Sequence, residues 1–311
     1  MNKRVYGVLG ISSIMANWNA DFSGRPKTTS EGDTFGSDKA LKYPMKKMWD
    51  NEGEKVLYIK SMRLSDESKK DVTLIPRTLK ERYELLFDIK DLKDCKDIKE
   101  VLVNLMSAVD VKNFGATFAE SGNNISITGA VQIGQGFNKY EGTNPEEQQI
   151  LSPFRDANDV NGDAKNSTLG TKIVSNEAHY FYPFVINPMA YKELEELGVT
   201  EGYTEADYQH FRRTALVSAT SFATNSKVGC ENEFALFVET KPDAYLPNLS
   251  EYIGFEKKEE QNVITLQCTE LLKELGDAIE KVDVYYNPHT TELEGVSKQM
   301  RVYDIRTQKE V

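Results

Sequence analysis

Lys39, Lys42, Lys46 and Lys47 form a run of four cations with no acidic residue among them, and it follows closely on Ser37, a residue type suited to capping a helix N-terminus. Lysines beside the unpaired N–H groups of a helix start offer a phosphate oxygen both charge and hydrogen-bond donors. At 100° per residue, Leu41, Met45 and Met48 fall on one side of such a helix and Lys39, Lys42 and Lys46 on the other. By residue type alone, this is equally the pattern of an amphipathic helix with a solvated basic face. Pro44 complicates both readings, because an interior proline removes a hydrogen bond and clashes with the preceding turn at a cost of about 3 kcal/mol. It predicts a kink, or a helix that starts only at Pro44.

A second candidate is Asn225-Ser226-Lys227-Val228-Gly229, a loop rich in hydrogen-bond donors that ends in a glycine able to admit another backbone. An ordinary turn after a helix fits it as well. Arg212 and Arg213 lie on the preceding helical stretch and must point about 100° apart, so only one of them can face a shared groove.

Other chemistry finds little support. Cys95, Cys230 and Cys268 are odd in number and far apart, and His179, His210 and His289 have no metal-ligand spacing, so neither a disulfide framework nor a metal site is expected. Gly134-Gln135-Gly136 lacks the third glycine of a dinucleotide loop, and there is no phosphate-binding GxxxxGK[ST] motif. No cofactor is expected. A net charge of −11 excludes a protein that coats nucleic acid over its whole surface but leaves room for a local basic groove, since a site is decided within a Debye length of roughly 8–10 Å. No apolar run is long enough to cross a bilayer, and the first residues do not read as a secretory signal, so no membrane partner and a cytoplasmic location are expected.

The elements that must position these residues can be read from periodicity. Strands are expected over Arg4 to Met15, Val56 to Met62, Val111 to Phe118, Asn124 to Ile133, Tyr180 to Ile186 and Phe234 to Glu239, and helices after Ser37 and over Thr78 to Ile89, Ile98 to Val109, Pro188 to Leu197 and Thr204 to Ala223. Val263 to Leu266, Leu271 to Ile279, Val282 to Tyr286 and Met300 to Ile305 then read as strand, helix, strand and strand. Gly134 to Glu177 is polar and far longer than an ordinary connection. The mixture predicts one α+β domain over residues 1–311 on an antiparallel, ferredoxin-like sheet.

Four segments in this order resemble the crRNA-binding backbone subunit of the type I-B CRISPR Cascade, in the Cas seven superfamily. They are Gly24-Arg25-Pro26-Lys27-Thr28-Thr29 leading to Thr34 through Lys42; Asp110 to Phe118 followed by Ile127 to Gly134; His179 to Pro188; and Tyr203 to Tyr208 continuing to Asn225 through Gly229. Each alone is weak, and the ordered set carries the likeness. It implies an RRM-like palm, inserted helical fingers over residues 55–109 and a long β-hairpin thumb over 134–177.

The resemblance turns the reading of Lys39, Lys42, Lys46 and Lys47 toward phosphate contact, and adds Ser37 as a hydroxyl donor and Arg25 and Lys27 as loop cations. Asn225, Ser226 and Lys227 join them as RNA-binding candidates. In the thumb, Leu151, Phe154 and Arg155 are the candidates to insert between nucleotides and kink the guide, with core packing the competing account of Phe154. The implied partners are a crRNA guide, target DNA by way of that guide, further copies of the chain and other Cascade subunits. The implied role is non-catalytic. Two rivals stand beside it: a type III-like subunit that cleaves target RNA through Asp33, and a protein-protein scaffold without RNA.

Overall fold

The computed structural model describes residues 1–65, 71–151 and 168–311. The chain opens with β1 (Arg4–Ala16), whose unbroken apolar run reflects burial on both sides: Val5 and Leu9 enter one core cluster, Tyr6 and Val8 the other. β2 (Phe35–Gly36) and helix α1 (Asp38–Asn51) follow, then a hairpin of β3 (Met62–Leu64) and β4 (Leu74–Pro76), and helices α2 (Leu79–Phe87), α3 (Ile98–Ser107) and α4 (Val109–Phe114). Next come β5 (Gly115–Phe118), β6 (Ile125–Thr128), β7 (Val131–Ile133), β8 (Gly136–Asn138), β9 (Pro145–Leu151) and the 19-residue β10 (Thr168–Ile186). Helices α5 (Lys192–Glu196) and α6 (Glu205–Ser221) lead to β11 (Cys230–Thr240), β12 (Ile253–Lys257), β13 (Asn262–Leu266), α7 (Thr269–Glu274), β14 (Ile279–Tyr286), β15 (Thr291–Glu294) and β16 (Met300–Asp304).

The result is a mixed α/β fold on a large central sheet ordered β16-β14-β11-β1-β10-β8-β2, with β7 and β9 also paired to β10. β1 runs antiparallel to both β10 and β11. β10 and β11 are therefore parallel to each other, joined through α6, with β1 between them. On the other side β7 and β8, antiparallel to β10, are reached from β1 by way of α1. Two crossover units thus interleave, each enclosing the central strand of the other. Trp49 of α1 donates its indole N–H to the Thr214 hydroxyl of α6 at 2.8 Å, which fixes the two helices to each other. The opposite face is covered by a second sheet, β12-β13-β15, whose Ile253, Ile264 and Leu266 pack with Tyr6, Val8 and Leu236.

Three expectations are corrected. α1 does not start at Pro44: Ser37 caps it and it runs through the proline to Asn51. Burial explains this, because Leu41, Met45 and Trp49 are fully buried, and two such side chains at about 1.5–3 kcal/mol each offset a proline penalty of about 3. Residues 56–61 are not a strand. The amides of Leu57 and Tyr58 donate to the Asp110 carboxylate at 2.8 Å each, so side-chain oxygens replace a strand ladder. Asp110 also explains why Val111 to Phe118 is only half a strand: residues 109–114 are helical and hold that carboxylate in place.

The second face is clasped by a charge cluster in which Glu177, His179 and Glu233 are buried and Lys257 is exposed. The His179 ring, fully buried on β10, has Nδ1 at 2.8 Å from Glu233 of β11 and Nε2 at 3.1 Å from Glu177, and it stacks on Phe255 of β12 with ring centroids 4.0 Å apart. Lys257 of β12 completes the cluster by pairing with Glu177 and lying over Tyr140, whose ring meets His179 edge-on. Both ring nitrogens face carboxylates, so the arrangement calls for an imidazolium. Burial alone would lower its pKa, but the charge and hydrogen bonds of Glu233 and then Glu177 outweigh burial and hold it above the ordinary 6.5. This contribution to stability is complete below that unfolded value and is lost as pH rises through the folded one. Urea unfolding at a series of pH values from slightly acidic to alkaline should show stability falling above neutrality, and His179→Gln should flatten that decline; an identical slope in the variant would rule the clasp out.

Candidate nucleic-acid interface

The chain that leaves β1 forms a hub at Asn17-Trp18-Asn19. The Asn19 Oδ1 accepts from the Ser37 amide at 2.9 Å and its hydroxyl at 2.6 Å, which seats the N-terminus of α1. The Asn17 side-chain amide donates to the carbonyls of Gly24 at 2.9 Å and Ile173 at 3.0 Å, tying the 21–28 loop and the base of the β9/β10 hairpin together. The Asn17 backbone N–H donates to Ser226 at 2.9 Å, and Lys27 donates its amide to the Asn19 carbonyl, also at 2.9 Å. Trp18 is buried and donates its indole N–H to the Tyr182 hydroxyl, anchoring the hub to β10. Two glycines make this approach possible. A Cβ on Gly36 would lie 1.7 Å from that same hydroxyl, and one on Gly229 would lie 2.2 Å from the Ile14 carbonyl, at a φ of +101°.

This hub brings Arg25, Lys27, Ser37, Asn225, Ser226 and Lys227 to one end of the sheet, although they are spread over some two-thirds of the sequence. Asn225 and Ser226 are exposed there. Among the described residues the Lys27 ammonium has no ion-pair or hydrogen-bond partner, and Lys39 is 86% exposed, held only by its neighbour Asp38 at 3.2 Å. Lys42 lies on the other oxygen of Asp38 at 3.0 Å and over the Phe114 ring at 5.1 Å.

The other cations are placed differently from a simple phosphate-facing row. Lys46 turns toward the 55–60 segment, 3.6 Å from Asp110 and 3.4 Å from the Tyr58 carbonyl; burial holds its pKa below the lysine range despite the attraction of Asp110. Lys47 pairs with Asp50 at 2.9 Å. The Lys227 ammonium is directed inward, onto the carbonyls of Asn17 at 2.6 Å and of Trp18, and over the indole at 5.4 Å; burial lowers its pKa too. Arg25 pairs with Glu147 of β9. Arg212 is buried against Asp283 and Tyr285 away from the hub, while Arg213 reaches Glu52 at 2.6 Å.

Leu151 is exposed at the end of β9, opposite Thr168. Phe154 and Arg155 lie outside the described residues. Asp33 lines a cavity of about 450 Å³ with Lys139, Tyr140, Thr143 and Phe255, and its amide and carbonyl close the 29–33 turn on Thr29. Among the described residues no group of three or more His, Cys, Asp or Glu side chains is arranged to hold a metal ion.

Sequence reasoning missed Asn17, Asn19 and Lys172, whose ammonium reaches the Asn225 side chain at 3.4 Å from the hairpin base. The available signal was Asn-Trp-Asn directly after a strand, an indole between two turn-forming amides.

Residues 3–270 match the family described as "CRISPR-associated protein Cas7", and the chain belongs to that family. Among solved structures, a chain of "CRISPR RNA-guided surveillance complex, pre-nicking" is similar over 97% of this chain and 96% of its own, at 15% identity and a TM-score of 0.58. A chain of "CRISPR RNA-guided surveillance complex" is similar over 97% and 93%, at 14% identity and a TM-score of 0.45. The first of these likenesses shows a shared fold. No curated protein sequence matches the chain at comparable significance.

Since Lys227 holds two carbonyls of the hub, Lys227→Met should act on the fold. Loss of a donor to buried carbonyls costs about 1–3 kcal/mol each, so chemical denaturation should show a loss of at least about 2 kcal/mol. Unchanged stability would mean that the ammonium is free to turn outward.

Proposed function

We propose that this chain is a non-catalytic crRNA-binding backbone subunit of a type I-B CRISPR surveillance complex, with copies placed side by side along the guide to present it to target DNA. The observation that carries this reading is the hub: it draws a helix N-terminus, two loops with exposed donors and the base of a projecting hairpin to one end of the sheet in a chain of the Cas7 family. Such an arrangement grips sugar-phosphate without reading bases, which a holder of variable guides requires. The overall charge of −11 supports a confined groove, since only a local surface can then attract phosphate.

In this reading the interleaved crossovers around β1 and β10 are an RRM-like palm, residues 55–109 the fingers, and the excursion over 134–177 the thumb. Arg25, Lys27, Lys39 and Lys42, with Asn225 and Ser226, make the backbone contacts, while Ser37, whose amide and hydroxyl both donate to Asn19, seats the helix that carries two of them. Lys46, Lys47 and Lys227 support the elements that carry them, given the partners described above. Leu151 marks the thumb segment that meets the guide between nucleotides. Other subunits of the complex cap the row of copies, and the assembly works in the cytoplasm.

Replacing Arg25, Lys27 and Lys39 together by alanine should weaken binding of unrelated RNAs in parallel. With about 0.7 of salt slope per single-strand phosphate contact, it should also lower the dependence of log K on log salt by about 2. Binding that keeps its slope would remove this groove from consideration. Incubating assembled complex with complementary RNA and magnesium should leave the RNA intact, in the parent and in Asp33→Ala alike; regular products that require Asp33 would instead make the subunit a nuclease.

A further inference from the structure

The β9/β10 hairpin pairs Pro145 with Ser175 at its base and Leu151 with Thr168 at its far described end, and every residue of β9 is exposed. β10 buries Val174 and Ser175 at the base of this hairpin, whereas β9 has no buried residue, so beyond that base the attitude of β9 depends on a few polar contacts. On the β10 side these are the Asn17 amide on Ile173 and Lys172 on Asn225. On the β9 side, among the described residues, Glu147 is the one side chain with a polar partner in another element, and that partner is Arg25.

We propose that Glu147 is a built-in stand-in for a guide phosphate. In the guide-free subunit it holds Arg25 and latches the hairpin to the 21–28 loop, and a backbone phosphate of the incoming RNA takes its place and frees the hairpin. This rests on the groove being the RNA site. Four features support it. The pair joins residues 122 apart in sequence, so it couples two separate elements. Arg25 and Glu147 side chains are 50% and 48% exposed, and an ion pair so open to water is held weakly enough to exchange. A guanidinium donates to carboxylate or phosphate oxygens in the same two-pronged geometry. Finally, a cavity of about 190 Å³ lies between loop and hairpin, lined by Asp21, Arg25, Thr28, Thr34, Thr143 and Pro145, beside the cation that would receive the phosphate; one oxygen of the Asp21 carboxylate is taken up by Ser23 and the Arg25 amide.

Binding is then an exchange of anions on Arg25, and removing the resident carboxylate should strengthen it. The test uses the full-length subunit, parent and Glu147→Gln, with two short fluorescently labelled single-stranded RNAs of unrelated sequence, read by anisotropy at low salt. Glu147→Gln should bind both RNAs about 2- to 5-fold more tightly, the range for an exposed ion pair. Amide hydrogen exchange over residues 145–151 should be faster in guide-free Glu147→Gln than in guide-free parent. If the parent binds RNA and Glu147→Gln binds equally or more weakly, or if exchange in the hairpin is unchanged, the latch is overturned while the RNA site stands. If neither protein binds RNA, the RNA site itself is overturned and the phosphate exchange with it.

Discussion

The end of the sheet that carries the exposed donors is organised by three residues at the exit of β1. As the chain leaves β1, Asn17, Trp18 and Asn19 satisfy backbone groups on four separate segments: the 21–28 loop, the cap of α1, the hairpin base and the 224–229 loop. A buried carbonyl or amide without a partner costs about as much as a lost hydrogen bond, so the segments cannot separate without each forfeiting one. Lys227 closes the arrangement from beneath, its ammonium on two hub carbonyls. Loops that would otherwise wander are thereby held at fixed distances from one another, as a binding surface built on loops requires.

Charge is handled at the same short range. An acidic protein offers an anionic ligand no general attraction, and most lysines and arginines near the hub are matched by carboxylates of their own chain: Asp38, Asp50, Asp110 and Glu147. The partly buried pair of Lys46 and Asp110 is an architectural contact between α1 and the 55–60 segment. The Arg25–Glu147 pair and the Lys39 ammonium are different in kind, because they are open to water, which screens them, and another anion can compete. Burial, more than residue type, separates Lys46, which builds the fold, from Arg25 and Lys39, which stay open to solvent.

The other face of the sheet shows the same economy. The C-terminal three-stranded sheet adds Ile253, Ile264 and Leu266 to an apolar contact with β1 and β11, and a four-membered charge cluster around His179 fixes its position. Two buried carboxylates and an imidazolium, with the exposed Lys257 ammonium at their edge, are close to neutral together, which makes the burial of the first three tolerable where any one of them alone would not be.

The sequence by itself determined the family, through four ordered segments, and most of the elements, since the apolar runs of β1, β11 and β14 and the capped patterns of α1, α2 and α6 are local signals. It also pointed to Ser37 and the 225–227 loop. It did not reveal that residues 56–61 take their hydrogen bonds from Asp110, because a side chain more than fifty positions away replaces the neighbouring strand that periodicity presupposes. Nor did it distinguish Lys39 from Lys46 or Lys227. All carry the same charge on the same four-carbon stem, and what separates them is which carboxylate, carbonyl or ring lies within about 4 Å, a distance set only when strands and loops remote in sequence are brought together.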